Sequence, residues 1–120
     1  MLLGNFFTVK EKTITGTNVL ATIDINASHQ IFEGHFPGQP VVPGVCMMQM
    51  FKEMLELVTG KKLQLRKADF LKFLTVINPL ENPTILAEFS YEDKDTDGIT
   101  MNGRLFKDTI IFLKFRGTFG

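Results

Sequence analysis

The sequence of 120 residues contains no tryptophan, one tyrosine, one cysteine and two histidines, and each scarcity removes a class of chemistry. A lone Cys46 cannot close an intrachain disulfide, and zinc sites built on several cysteines are excluded. Its neighbours Val45, Met47 and Met48 instead mark a buried thiol in a reducing compartment. His29 and His35 come with no third ligand cluster, so neither a metal nor any other cofactor is expected. Charge of either sign is not in excess: Lys+Arg and Asp+Glu number 13 each, which leaves no global field to hold a nucleic-acid backbone. No window reaches the roughly 18 apolar residues of a spanning helix, and the first five residues lack a basic region leading into an apolar run. The expectation is a cytoplasmic protein that binds neither membrane nor nucleic acid.

Hydrophobic residues make up 44% and charged residues 22%, the usage of a globular chain, and the length fits one domain over residues 1–120. Charge cancels overall but not locally. Residues 61–80 hold five basic side chains (Lys61, Lys62, Arg66, Lys67, Lys72) and one acidic, whereas residues 81–100 hold six acidic and one basic. The basic segment reads either as a patch that steers an acidic partner or as a strand edge kept soluble by lysines.

Alternation dominates the chain. Val19, Ala21, Ile23 and Ile25 interleave with Leu20, Thr22 and Asp24, so residues 5–12 and 17–26 read as two strands joined around Thr15-Gly16-Thr17. Four more strands are expected over 63–74, 84–91, 99–107 and 109–118, with a turn over residues 92–98 and a hairpin tip at Lys107-Asp108. Residues 43–59 break this rhythm with unbranched helix formers introduced by Pro43 and followed by Gly60, a helix of about four or five turns. Gln49, Lys52, Glu53 and Glu56 share one narrow stripe of it, while Val45, Met48, Phe51, Met54, Leu55 and Val58 cover the rest. The expected architecture is α+β, an antiparallel sheet of about six strands wrapped around one central, mostly buried helix.

Three prolines and three glycines fall within residues 34–44, a loop of restricted shape that feeds directly into the helix. His35 on this loop is a candidate general base near neutral pH, and the helix N-terminus at Gly44 and Val45 offers free backbone N–H groups at the positive end of the dipole. A base beside such donors suits proton abstraction next to a carbonyl whose oxygen becomes an enolate. Dehydration further needs an acid for the departing hydroxyl.

The run Gly34-His35-Phe36-Pro37-Gly38 followed by Pro40-Val41-Val42-Pro43-Gly44-Val45 resembles the signature loop of the FabZ/FabA-type 3-hydroxyacyl-acyl-carrier-protein dehydratases, which have the hot-dog fold. The resemblance implies His35 as catalytic histidine and the Gly44 N–H as the donor that polarises the thioester carbonyl. Phe36, Pro37, Val45 and Met48 would meet the substrate. The position of the family's catalytic carboxylate is Gln49, a neutral amide that orients a hydroxyl but cannot exchange a proton as an acid does. Family members often have Glu-x-x-x-Gln here, whereas this chain has the same residue types swapped, so Glu53 one turn on is the candidate replacement acid; the alternative is that Glu53 and Glu56 form a solvated face. Met47, Met48, Met50 and Met54 read as tunnel lining or core, and Phe70 and Phe73 are similarly ambiguous.

Three functions compete. The first is removal of water from a 3-hydroxyacyl chain on acyl carrier protein, in a homodimer whose site is shared between protomers, with a dimer of dimers or trimer of dimers also compatible. The second is a non-catalytic subunit that binds acyl carrier protein or pairs with an active paralogue, favoured by Gln49. The third is a hot-dog thioesterase, which would again need Glu53 as its carboxylate.

Overall fold

The computed structural model describes residues 2–33 and 40–120. Six strands, β1 (Phe7–Thr15), β2 (Asn18–Ile25), β3 (Leu65–Phe73), β4 (Thr84–Asp93), β5 (Ile99–Lys107) and β6 (Ile110–Phe119), form one sheet in the order β1-β2-β4-β5-β6-β3. Every neighbouring pair is antiparallel. The single α-helix among the described residues, α1 (Gly44–Thr59), separates β2 from β3 in the chain. This is the hot-dog arrangement that the sequence predicts.

The strand alternation has a direct physical reading. Val19, Ala21, Ile23 and Ile25 of β2 are all buried, as are Ile85, Ala87 and Phe89 of β4, because these residues share the sheet face that packs on α1. Leu20, Glu88, Arg104 and Lys114 stand on the opposite face, in register across four strands. Phe51 of α1 reaches the sheet centre, stacked on Phe115 with centroids 6.1 Å apart and edge-on to Phe89 at 6.4 Å. Gly103 of β5 lies beneath this ring, where an added Cβ would come within 2.7 Å of Phe51 Cε1. The missing side chain lets helix and sheet approach.

The helix starts and stops where its flanking residues dictate. Pro43, extended at φ −63° and ψ 145°, occupies the N-cap, and Gly60 ends the helix in the left-handed region at φ 71°. The β1–β2 turn places Gly16 at φ 62°. Beyond β2 the chain forms a short 3-10 helix, Gln30–Phe32, capped by His29, whose Nδ1 accepts from the Ile31 N–H at 3.1 Å. That imidazole also sits edge-on to Phe6, so His29 has a structural post.

Two expectations for α1 need correction. The helix is not covered on all the predicted apolar positions: Val45 is 77% exposed, while Met48 and Val58 are only half-buried. Nor is the polar stripe uniformly solvated, because Glu53 is buried at 2% exposure. The sheet covers one side of the helix, and two chain segments cross the other, each fastened by a carboxylate of the stripe. Glu53 accepts the Leu2 and Leu3 N–H groups, and Glu56 accepts the Leu63 N–H at 2.8 Å.

Candidate functional site

The segment leading into α1 is held by a backbone bond to the segment that follows β3, which is itself tied to β6. Val42 N–H donates to the Ile77 carbonyl at 2.9 Å, and Leu74 N–H donates to the Phe112 carbonyl at 2.9 Å. These two bonds lay residues 41–44 beside residues 73–76. The cleft between them has a volume of about 340 Å³ and is lined by Val42, Gly44, Met47, Phe73, Thr75 and Val76. Phe73 lies over Gly44 so closely that a Cβ there would come within 2.7 Å of the ring Cζ. Only glycine leaves that backbone bare beneath the ring.

The Cys46 and Met47 N–H groups donate to the Pro43 carbonyl at 3.0 and 3.2 Å. The N–H groups of Gly44 and Val45 have no hydrogen-bond partner among the described residues, and Pro43 offers no side-chain cap. Two donors with no partner among the described residues, at the positive end of the helix dipole, therefore border an apolar cleft, an arrangement that can polarise a carbonyl while a hydrocarbon chain lies alongside. Burial pushes the neighbouring Cys46 thiol up, so it stays protonated and inert.

A second polar unit sits one and two turns along. Gln49 Nε2 donates to Glu53 Oε2 at 2.8 Å. Glu53 also accepts the Leu2 N–H on both oxygens at 2.9 Å and the Leu3 N–H on Oε1 at 2.7 Å. Burial pushes the Glu53 carboxyl up, but the two backbone N–H donors and the Gln49 amide outweigh it, and the group ends below its ordinary value. It is ionised at neutral pH.

Of the residues predicted from sequence, His35, Phe36 and Pro37 lie outside the described residues. Gly44 sits in the cleft and Gln49 does not line it; within one chain the two are not brought together. Val45 is exposed beside the cleft, and Met48 is half-buried against the core. Met47, Met50 and Met54 are buried, with Met47 also touching the cleft. Sequence reasoning missed Val42, Thr75 and Val76 as lining; the signal for the last two was the mostly apolar stretch Leu74-Thr75-Val76 just beyond the end of β3. A larger groove of about 560 Å³ crosses the outer sheet face between Leu20, Phe70 and Arg104, away from every residue of the loop motif.

The family model for ApeI dehydratase, described as ApeI-like, matches residues 10–103. The chain belongs to the ApeI-like dehydratase family. Beside its ApeI-like relatives it is similar to 3-hydroxyacyl-acyl-carrier-protein dehydratases FabZ. It is 27% identical over 107 residues to that of Lactococcus lactis, with 89% of this chain and 60% of that enzyme covered. To that of Lactobacillus helveticus it is 30% identical over 71 residues, covering 53% and 48%. The chain thus spans about half of the curated relatives it matches. A solved structure titled the dehydratase heterocomplex ApeI:P, from Xenorhabdus doucetiae, superposes with a TM-score of 0.72 at 17% identity, covering 92% of this chain and 95% of that one. That likeness concerns the fold, and it agrees with the ApeI-like assignment. No described helix is long and apolar enough to cross a membrane.

Proposed function

We propose that this ApeI-like chain removes water from a (3R)-hydroxyacyl thioester on acyl carrier protein, giving the trans-2-enoyl product in fatty acid or related lipid biosynthesis. The observation that carries the reading is the pair of N–H groups at Gly44 and Val45, without a partner among the described residues, bordering an apolar cleft after a proline- and glycine-rich stretch of sequence that bears His35. The thioester carbonyl accepts from the Gly44 N–H, which acidifies the adjacent carbon. His35 takes the α-proton, and the 3-hydroxyl departs. Its oxygen needs a proton, and Glu53 is poorly suited to give one: its oxygens already accept from Leu2, Leu3 and Gln49, and its pKa is lowered. Gln49 is the better contact for the hydroxyl, leaving the histidine, protonated by the first step, to return the proton to the leaving oxygen. Phe36, Pro37, Val45 and Met48 complete the acyl-binding surface.

The site is assembled in a homodimer, since Gly44 and Gln49 do not share a cleft within one chain. The carrier protein is drawn to basic side chains on the outer sheet face: Lys72, Lys114 and Arg104 stand directly opposite one another across β3, β6 and β5. Lys72 and Lys114 have no carboxylate partner among the described residues, and only Arg104 is paired, with Glu88.

One observation favours a second reading. An amide at the acid position, with its neighbouring carboxylate committed elsewhere, equally fits a subunit that binds acyl carrier protein without dehydrating its cargo. Mass spectrometry of a 3-hydroxyacyl carrier protein incubated with the chain decides between them. Loss of water with the natural protein, abolished by His35→Ala, is the expected result for the dehydratase. Turnover that appears only in Gln49→Glu assigns the natural chain to the binding role.

A further inference from the structure

The hydrogen bond between Gln49 and Glu53 has a fixed polarity. A carboxylate only accepts, so the Gln49 amide must turn its NH₂ toward Glu53, and the bond runs from Nε2 to Oε2 at 2.8 Å. The carbonyl oxygen, Oε1, is then the outward pole. It has no hydrogen-bond partner among the described residues, and no buried side-chain oxygen or nitrogen of the described residues lacks one, so Oε1 is open to solvent. What holds this orientation is the other side of the carboxylate. The Leu2 and Leu3 N–H groups, about fifty residues away in sequence, bind Glu53 at 2.7 to 2.9 Å and fix it against rotation.

We propose that Glu53 is a positioning residue that locks the Gln49 amide with its carbonyl oxygen outward, so that the site selects acyl thioesters carrying a hydrogen-bond donor at the 3-position. The inference rests on the acyl-thioester reading above and adds a discrimination to it. A 3-hydroxyl donates to Oε1. A 3-oxo group, an acceptor only, meets a second acceptor and leaves both unsatisfied.

Substitution at Glu53 reverses the lock in a predictable way. In Glu53→Gln the Leu2 and Leu3 N–H groups still require an acceptor and take the carbonyl oxygen of the new amide. Its NH₂ then faces Gln49, which must turn its own carbonyl inward and present NH₂ outward. The helix packing is unchanged while the outward pole changes sign.

The test compares the dissociation constants of 3-hydroxyoctanoyl-pantetheine and its 3-oxo counterpart by calorimetry, in a His35→Ala background so that no turnover intervenes. With Glu53 intact the hydroxy compound is expected to bind about tenfold tighter, the effect of one hydrogen bond against one clash of acceptors. Adding Glu53→Gln should bring the ratio to about one or invert it. Gln49→Met, which leaves Glu53 and its backbone partners in place, should also erase the preference, and it serves as the second variant if Glu53→Gln unfolds. An unchanged ratio in either folded variant overturns the proposal. Binding of neither thioester with Glu53 intact overturns the acyl-thioester reading and the discrimination with it. The lock itself is read without ligand, from the Gln49 side-chain amide signals in ¹⁵N NMR: two well-separated proton shifts that change in Glu53→Gln support it, and shifts indifferent to that substitution overturn it.

Discussion

Glu53 ties an ionisation to the folded state. Its carboxylate is buried yet accepts from Leu2, Leu3 and Gln49, which holds its pKa below the ordinary carboxylate value. In the unfolded chain the same group titrates at the ordinary value, so between the two values the unfolded state binds more protons. The stabilisation is therefore complete above the ordinary glutamate range and is lost as pH falls through the lowered folded value. Denaturant unfolding from about pH 6 down to about pH 3 should show the wild-type chain losing its advantage over Glu53→Gln across that window. A constant difference between the two proteins over the range would mean that Glu53 is not ionised in the folded chain. None of this was legible in the sequence. A polar stripe at i, i+3, i+4 and i+7 looks the same whether water covers it or a distant segment does, and the covering segment here is 50 and 51 residues away.

At the scale of elements, the close fit of α1 against the sheet depends on Gly103. A methyl group there would meet Phe51 Cε1 at 2.7 Å, Cζ at 3.1 Å and Met101 Cε at 3.2 Å. Phe51 has nowhere to go, being fully buried between Phe89 and Phe115. Gly103→Ala should therefore cost about 1–3 kcal/mol, the usual penalty of overpacking a filled core, measured by urea unfolding. A neutral substitution would show that the helix can lift from the sheet. The elements themselves were readable because their signals are local. Period-two alternation marks a strand with one buried face, and Pro43 and Gly60 punctuate a run of unbranched side chains. Gly44, which the loop motif singled out, lines the cleft, whereas the residues that join it there depend on which segments meet. Thr75 and Val76 join the cleft only because Val42 bonds to Ile77.

The two edges of the sheet differ in a way that bears on the whole molecule. The β1 edge carries Lys10, Glu11 and Lys12, charges that discourage a further strand. The β3 edge is exposed along all nine residues and presents Phe70, Leu71 and Phe73, continuing into Leu74 and Val76. An unpaired strand with that much apolar surface needs a cover, and in the proposed homodimer a second copy pairing β3 with β3 would extend the sheet and close over Phe73 and the cleft at Gly44. Sedimentation velocity should accordingly find a dimer at micromolar concentration. Leu71→Lys combined with Leu65→Lys adds two charges along the exposed β3 edge, at positions that do not line the cleft, so it should yield a folded monomer with native circular dichroism. That monomer should also lose affinity for acyl thioesters, because the proposed homodimer brings Gly44 and Gln49 together only across its two-fold axis. A natural chain that sediments as a monomer, or a double variant that dissociates yet still binds the thioester, would place the whole site within one chain and remove the reason for the exposed edge.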